Sequence, residues 1–171
     1  MSTPARRYPY VGPPELRAAA GPHTAARVLR DTADLDVWLS GRGAAESGEP
    51  FTFVVAPDGL LRLAPRRSEH VACAGGGEVL AAGEMGFDRA FGRWTVREVT
   101  NQSTGYCPDL GSWHAVARAL DGLGVEHPGG FTHEVVFRRC ERCHECSVVR
   151  EGDFVCVFCG SDLPSAWNIA S

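Results

Sequence analysis

Two CxxC pairs, Cys140-x-x-Cys143 and Cys156-x-x-Cys159, lie near the C-terminal end of the chain with twelve residues between them. A CxxC turn folds its backbone tightly enough to aim two sulfurs at one point. Two such turns at the ends of a short hairpin can close a tetrahedron of thiolates ~2.3 Å from a metal ion. No other stretch constrains the fold as much, because residues 140–160 must double back to bring the pairs together. The intervening residues suit that path: 147–150 reads as a strand, 151–152 as a turn and 153–155 as the return. Four thiolates would fill the tetrahedron and leave no position for water or substrate, whereas a catalytic site keeps three protein ligands and one open place. The expected site is therefore structural, contributing folding free energy.

Residues 138–164 resemble a zinc ribbon, and the resemblance implies Zn2+ held by Cys140, Cys143, Cys156 and Cys159. Gly160 follows the second pair as in that family, while His144 stands where the family usually has glycine after the first. An iron–sulfur cluster also takes four cysteines, and Cys140, Cys143 and Cys146 form a CxxCxxC run. The ferredoxin pattern continues with a fourth cysteine and a proline, and residues 147–155 contain no cysteine. A redox CxxC belongs in a β-α-β context that is not found here. Cys146 is the surplus thiol, either an ordinary neighbour of the site or an exchanging ligand. Arg138, Arg139, Arg142 and Arg150 are interleaved with Glu141, Glu145 and Glu151. Mixed signs favour a protein partner, or a merely solvated face, over nucleic acid, which remains the further alternative.

Composition narrows the rest. An apolar fraction of 44% is ordinary for a folded domain. No apolar run approaches the ~20 residues that span a bilayer, so no membrane association is expected. The first residues show no signal-like apolar core, which suggests a cytoplasmic protein. Seven cysteines in a reducing cytosol point to metal before disulfides. The net charge of −4 argues against bulk phosphate binding. All 17 basic residues are arginine, read as codon bias of a GC-rich bacterial genome, and this excludes lysine Schiff-base chemistry.

Along the chain, 15–20 reads as a short helix stopped by Gly21 and Pro22, and 23–30 as either strand or helix. A helix is expected through TADLDVWLSG, with Thr32 as cap and Leu35, Trp38 and Leu39 on its apolar face. FTFVVAPDGLLRLAP, with its Pro57-Asp58-Gly59 turn, is the clearest hairpin. Further strands are expected at 70–74, 79–87, 94–100 and 131–139. Ser112 should cap an amphipathic helix carrying Trp113, Val116, Ala117 and Leu120 on one face. Hairpins outnumber β-α-β units. The expected class is thus α+β, a mainly antiparallel sheet with a few helices, in residues 1–136, followed by the ribbon and tail in 137–171.

A second resemblance covers 70–108. His70, Ala74, Gly75, Gly76, the run from Ala81 to Glu84, Asn101, Ser103, Tyr106 and Pro108 look like a β-rich segment of uncharacterised bacterial proteins and plant IQ-motif proteins. That resemblance carries no activity. By residue type alone, His70 and Tyr106 could cradle a nucleotide, with Glu84 or Glu134 acting on the reacting centre, in an ADP-ribosyltransferase-like pocket of a nucleotide-using transferase. Cys73 or Cys107 could pair with His70, His114 or His133 as a nucleophile. The plainer readings make these cysteines core residues, Glu84 a turn acid, and Asn101 and Ser103 loop-shaping side chains. The leading expectation is a small zinc-binding accessory or interaction protein, non-catalytic, with a protein partner.

Overall fold

The computed structural model describes residues 4–20, 26–43, 46 and 48–169. Its centre is a five-stranded antiparallel sheet in the order β1-β3-β2-β4-β5. The strands are β1 (Arg27–Leu29), β2 (Phe51–Val55), β3 (Leu61–Ala64), β4 (Ala81–Ala90) and β5 (Arg93–Val99). All five residues of β2 are buried. Alternation along this strand sends Phe51, Phe53 and Val55 into one apolar cluster and Val54 into another, so both faces of the sheet are covered.

The first face carries α2 (Thr32–Ser40) and the amphipathic helix α4 (Trp113–Leu123). Leu35, Trp38 and Leu39 meet Val116, Ala119, Leu120 and Leu123 over Phe53, Leu63 and Met85. The second face carries α1 (Pro14–Ala19), the one-turn helix α3 (His70–Cys73), Tyr8 and the 101–108 loop with Tyr106. The chain is α+β with a mainly antiparallel sheet. A second, two-stranded sheet, β6 (Phe137–Arg139) with β7 (Cys146–Val148), belongs to the C-terminal cysteine module. Among the described residues no helix is long and apolar enough to cross a membrane.

Several local readings change. Residues 70–74 are helical, because the chain turns a corner between β3 and β4 and finds no strand partner there. Ala74 N–H bonds the His70 carbonyl at 2.9 Å, and Gly75 and Gly76 close the turn at φ 64° and 84°. Asp31, not Thr32, caps α2: its Oδ1 accepts from Asp34 N–H at 2.8 Å, while Thr32 Oγ1 donates to the Leu123 carbonyl. Ser112 does not cap α4 with its side chain; its Oγ donates to the Asp109 carbonyl. The helix ends at Gly124 in the left-handed region, φ 69°. Only Phe137–Arg139 of the 131–139 stretch is strand, since other partners take the backbone before it: Thr132 bonds Val99 and the Asn101 side chain takes Val135. Residues 26–30 include β1; Gly21, Pro22 and His23 lie outside the described residues.

Candidate metal centre

The two CxxC turns of the module are near-copies of one another. His144 N–H donates to the Cys140 carbonyl at 2.8 Å, and Gly160 N–H to the Cys156 carbonyl at 2.9 Å. Cys140 N–H then reaches the Glu145 carbonyl at 2.9 Å, and Cys156 N–H the Ser161 carbonyl at 2.7 Å. Each turn needs a left-handed residue just after its second cysteine. Gly160 supplies it at φ 76° and His144 at φ 65°. The missing glycine of the first turn therefore leaves the geometry intact, at a conformational cost of about 1 kcal/mol. Between the turns, Glu151 and Gly152 (φ 52° and 74°) form a tight reversal that bridges Arg150 to Asp153. The reversal falls where the sequence placed it. The regular pairing differs from expectation: β7 pairs back with β6 around the first turn, and Val155 bridges Asp162 around the second.

This scaffold brings Cys140, Cys143, Cys156 and Cys159 together, with all four Sγ atoms within 4.8 Å of one another. Cys140 Sγ lies 3.5 Å from Cys159 Sγ, and Cys143 Sγ lies 3.7 Å from Cys156 Sγ. A tetrahedron of thiolates ~2.3 Å from its centre has edges of about 3.8 Å, so the spacing suits a single metal ion. Backbone amides already point at the sulfurs, Cys143 N–H to Cys140 Sγ at 3.5 Å and Phe158 N–H to Cys156 Sγ at 3.4 Å.

The thiols perturb one another. Ser161, through its hydroxyl and its N–H, lowers the Cys159 pKa to about 6. Burial raises Cys156, but the N–H groups of Cys159 and Phe158 and the neighbouring thiols outweigh it, and the net shift is downward. The Glu145 N–H lowers Cys143, yet burial and the other three thiols push it up to about 12. Four thiolates this close repel, and a divalent cation is what lets all of them ionise together.

Cys146 is not one of the four. It packs with Cys107, Val135, Phe137 and Ile169, while Cys140 and Cys156 pack with Val149 and Leu163. Two of the module's arginines are consumed internally. Arg138, only 8% exposed, donates to the Phe137, Pro164 and Ser165 carbonyls and lies over the Phe154 ring. Arg139 pairs through its backbone with the Asn168 side-chain amide and donates to the His144 and Ile169 carbonyls. Arg142 and Arg150 are exposed beside exposed Glu141, Glu145 and Glu151.

The other candidates have backbone partners. His70 Nε2 donates to the Gly83 carbonyl at 2.8 Å, and burial lowers the His70 pKa. A Cβ at Gly83 would run into the Thr100 carbonyl, so only glycine lets these segments approach. Tyr106, 1% exposed, donates to the Gly77 carbonyl at 2.6 Å. Glu84 is held in β4 opposite Thr52, with Thr100 N–H on its carbonyl. Cys73 is buried with its thiol pushed up to about 12 by desolvation, the opposite of an activated nucleophile.

Asn101 does more than shape its own loop. Fully buried, it donates to the Pro108 and Val135 carbonyls and accepts from Val135 N–H at 2.7 Å, tying the loop to the segment that leads into β6, 34 residues away. A buried side-chain amide satisfied by distant backbone leaves no periodic trace in sequence.

Comparison with known protein families, curated proteins and solved structures yields no match to this chain. The reading of the site rests on its geometry.

Proposed function

We propose that the chain holds one structural Zn2+ at Cys140, Cys143, Cys156 and Cys159, in a ribbon-like module, and works as a non-catalytic accessory protein that docks a protein partner. The four-sulfur cluster supports this most directly: its edges suit tetrahedral zinc, and four protein ligands leave no coordination site for chemistry. The module's surface supports the partner. At the tip of the second turn Val157 is 49% exposed and Phe158 64% exposed, beside the site that rigidifies them. A metal-fixed loop presents apolar side chains with little ordering entropy left to lose on binding. The exposed charges around the tip are mixed, which suits a protein surface better than a phosphate backbone.

Elemental analysis of the protein, purified without added metal, should find one zinc per chain; iron with thiolate absorption in the visible would overturn the metal assignment. Substituting both Val157→Ser and Phe158→Ser should abolish partner capture and leave zinc content unchanged. Unchanged capture by that variant would remove the tip from the proposal.

A further inference from the structure

Three cysteines stand outside the four-sulfur cluster. Cys73 is enclosed in the second-face core. The other two face each other. Cys107 belongs to the 101–108 loop of the body and Cys146 to β7 of the module, yet they share one apolar cluster with Val135, Phe137 and Ile169, where the Cys107 thiol donates to the Thr104 carbonyl at 3.4 Å. Cys107 is held firmly. Its backbone takes a left-handed φ of 45°, its N–H bonds the Ser103 carbonyl at 2.7 Å, and its carbonyl accepts from Trp167 Nε1 at 2.8 Å. Cys146 is fixed by β6–β7 pairing opposite Arg139. The two side chains therefore share one cluster at the seam between body and module, each with its backbone held.

We infer that Cys107 and Cys146 are a thiol–disulfide pair, oxidised by a low-molecular-weight disulfide such as glutathione disulfide to a bond that latches the module onto the body. Cys146 is the half-exposed partner and takes the first step. The neighbouring Cys107 side chain and the Arg139 guanidinium both favour its thiolate. That thiolate attacks one sulfur of glutathione disulfide, the S–S bond breaks, and one glutathione thiolate leaves. Cys107 then attacks the Cys146 sulfur of the mixed disulfide; its proton goes to the departing second glutathione. Two protein thiols are oxidised and one small disulfide is reduced to two thiols. The four cluster sulfurs, bound to a cation, are poorer nucleophiles under the same conditions. A reducing cytosol keeps such a pair open, so closure would report oxidation.

The test uses the full chain, loaded with zinc and fully reduced, then exposed to rising ratios of oxidised to reduced glutathione. Proteolysis without reductant and peptide mass mapping should find a Cys107–Cys146 cross-link, with two thiols lost per chain and zinc content unchanged. Two results overturn the inference: a glutathione adduct on Cys146 that never resolves, or first loss of thiols at the cluster with zinc release. In Cys107→Ser the glutathione adduct on Cys146 should persist, and its absence overturns Cys146 as the attacking thiol. The wild-type map decides the matter if that variant does not fold. Failure of the zinc assignment would appear separately in metal analysis, because cross-linking of this pair needs no metal.

Discussion

Strand β2 lies between β3 and β4 with the two longer helices on one face and short helices and a loop on the other, and all five of its residues are buried. Strand β7 is three residues long, has one partner, and borders a cluster whose buried members are Cys140, Val149, Cys156 and Leu163. Stability in the body is spread over many apolar side chains, so it degrades gradually. In the module two of the four core side chains are themselves sulfur ligands, so the core and the metal site are one object. A region this small buries too little apolar area to hold itself closed, and a metal ion at the four sulfurs would substitute for the missing core.

The largest test of that contrast is removal of one ligand. Cys156→Ser should release the metal and with it metal-linked folding free energy on the order of 10 kcal/mol. Hydrogen exchange should then show residues 137–169 losing protection while β2 and β4 keep theirs. Simultaneous loss in both regions would mean that body and module are one cooperative unit.

The converse change is Phe53→Ala, at a fully buried position of the sheet. It should cost about 3–5 kcal/mol in denaturant unfolding of the body. Metal per folded chain should not change; a drop would show that the module needs the body to bind.

Asn101→Ala sharpens the boundary itself. It leaves the Val135 N–H and carbonyl and the Pro108 carbonyl without their partner, a loss of about 1–3 kcal/mol. Exchange protection should fall on both sides of the seam, at Val135 and in the 101–108 loop. An effect confined to the loop would mean that the tail contacts of Trp167 and Ile169 hold the seam alone.

The smallest effect is a gain. His144→Gly relieves a left-handed backbone at a histidine and should stabilise the metal-bound module by about 1 kcal/mol. Competition against a chelator measures it as a modestly tighter site. A weaker site would show that the histidine ring contributes more than its backbone costs.

Legibility followed the range of the interactions. The 51–63 hairpin could be read because a β-branched and aromatic run, a Pro-Asp-Gly turn and a returning run are all local. The four ligands could be read because sulfur chemistry and the CxxC spacing restrict the options severely. The HVAC run misled: its few consecutive apolar residues fit either state, so the choice between strand and helix depended on whether a neighbouring strand was present, and none was. His70 and Tyr106, grouped by residue type as a pocket, each turned out to hold a backbone carbonyl. Cys146, left open between bystander and ligand, faces Cys107 across the seam.

By itself the amino-acid order determined the 51–63 hairpin, the ends of the main helices to within a residue or two, and which four sulfurs converge. All of these depend on residues near one another in the chain, where backbone preference and side-chain chemistry act without help. The tertiary structure alone decided that Asn101 bolts the loop to Val135, that Arg138 and Arg139 turn inward to hold the tail, and that Cys107 and Cys146 share one cluster. Those contacts join segments tens of residues apart, and a partner becomes available only once the sheet has folded and brought the two surfaces together.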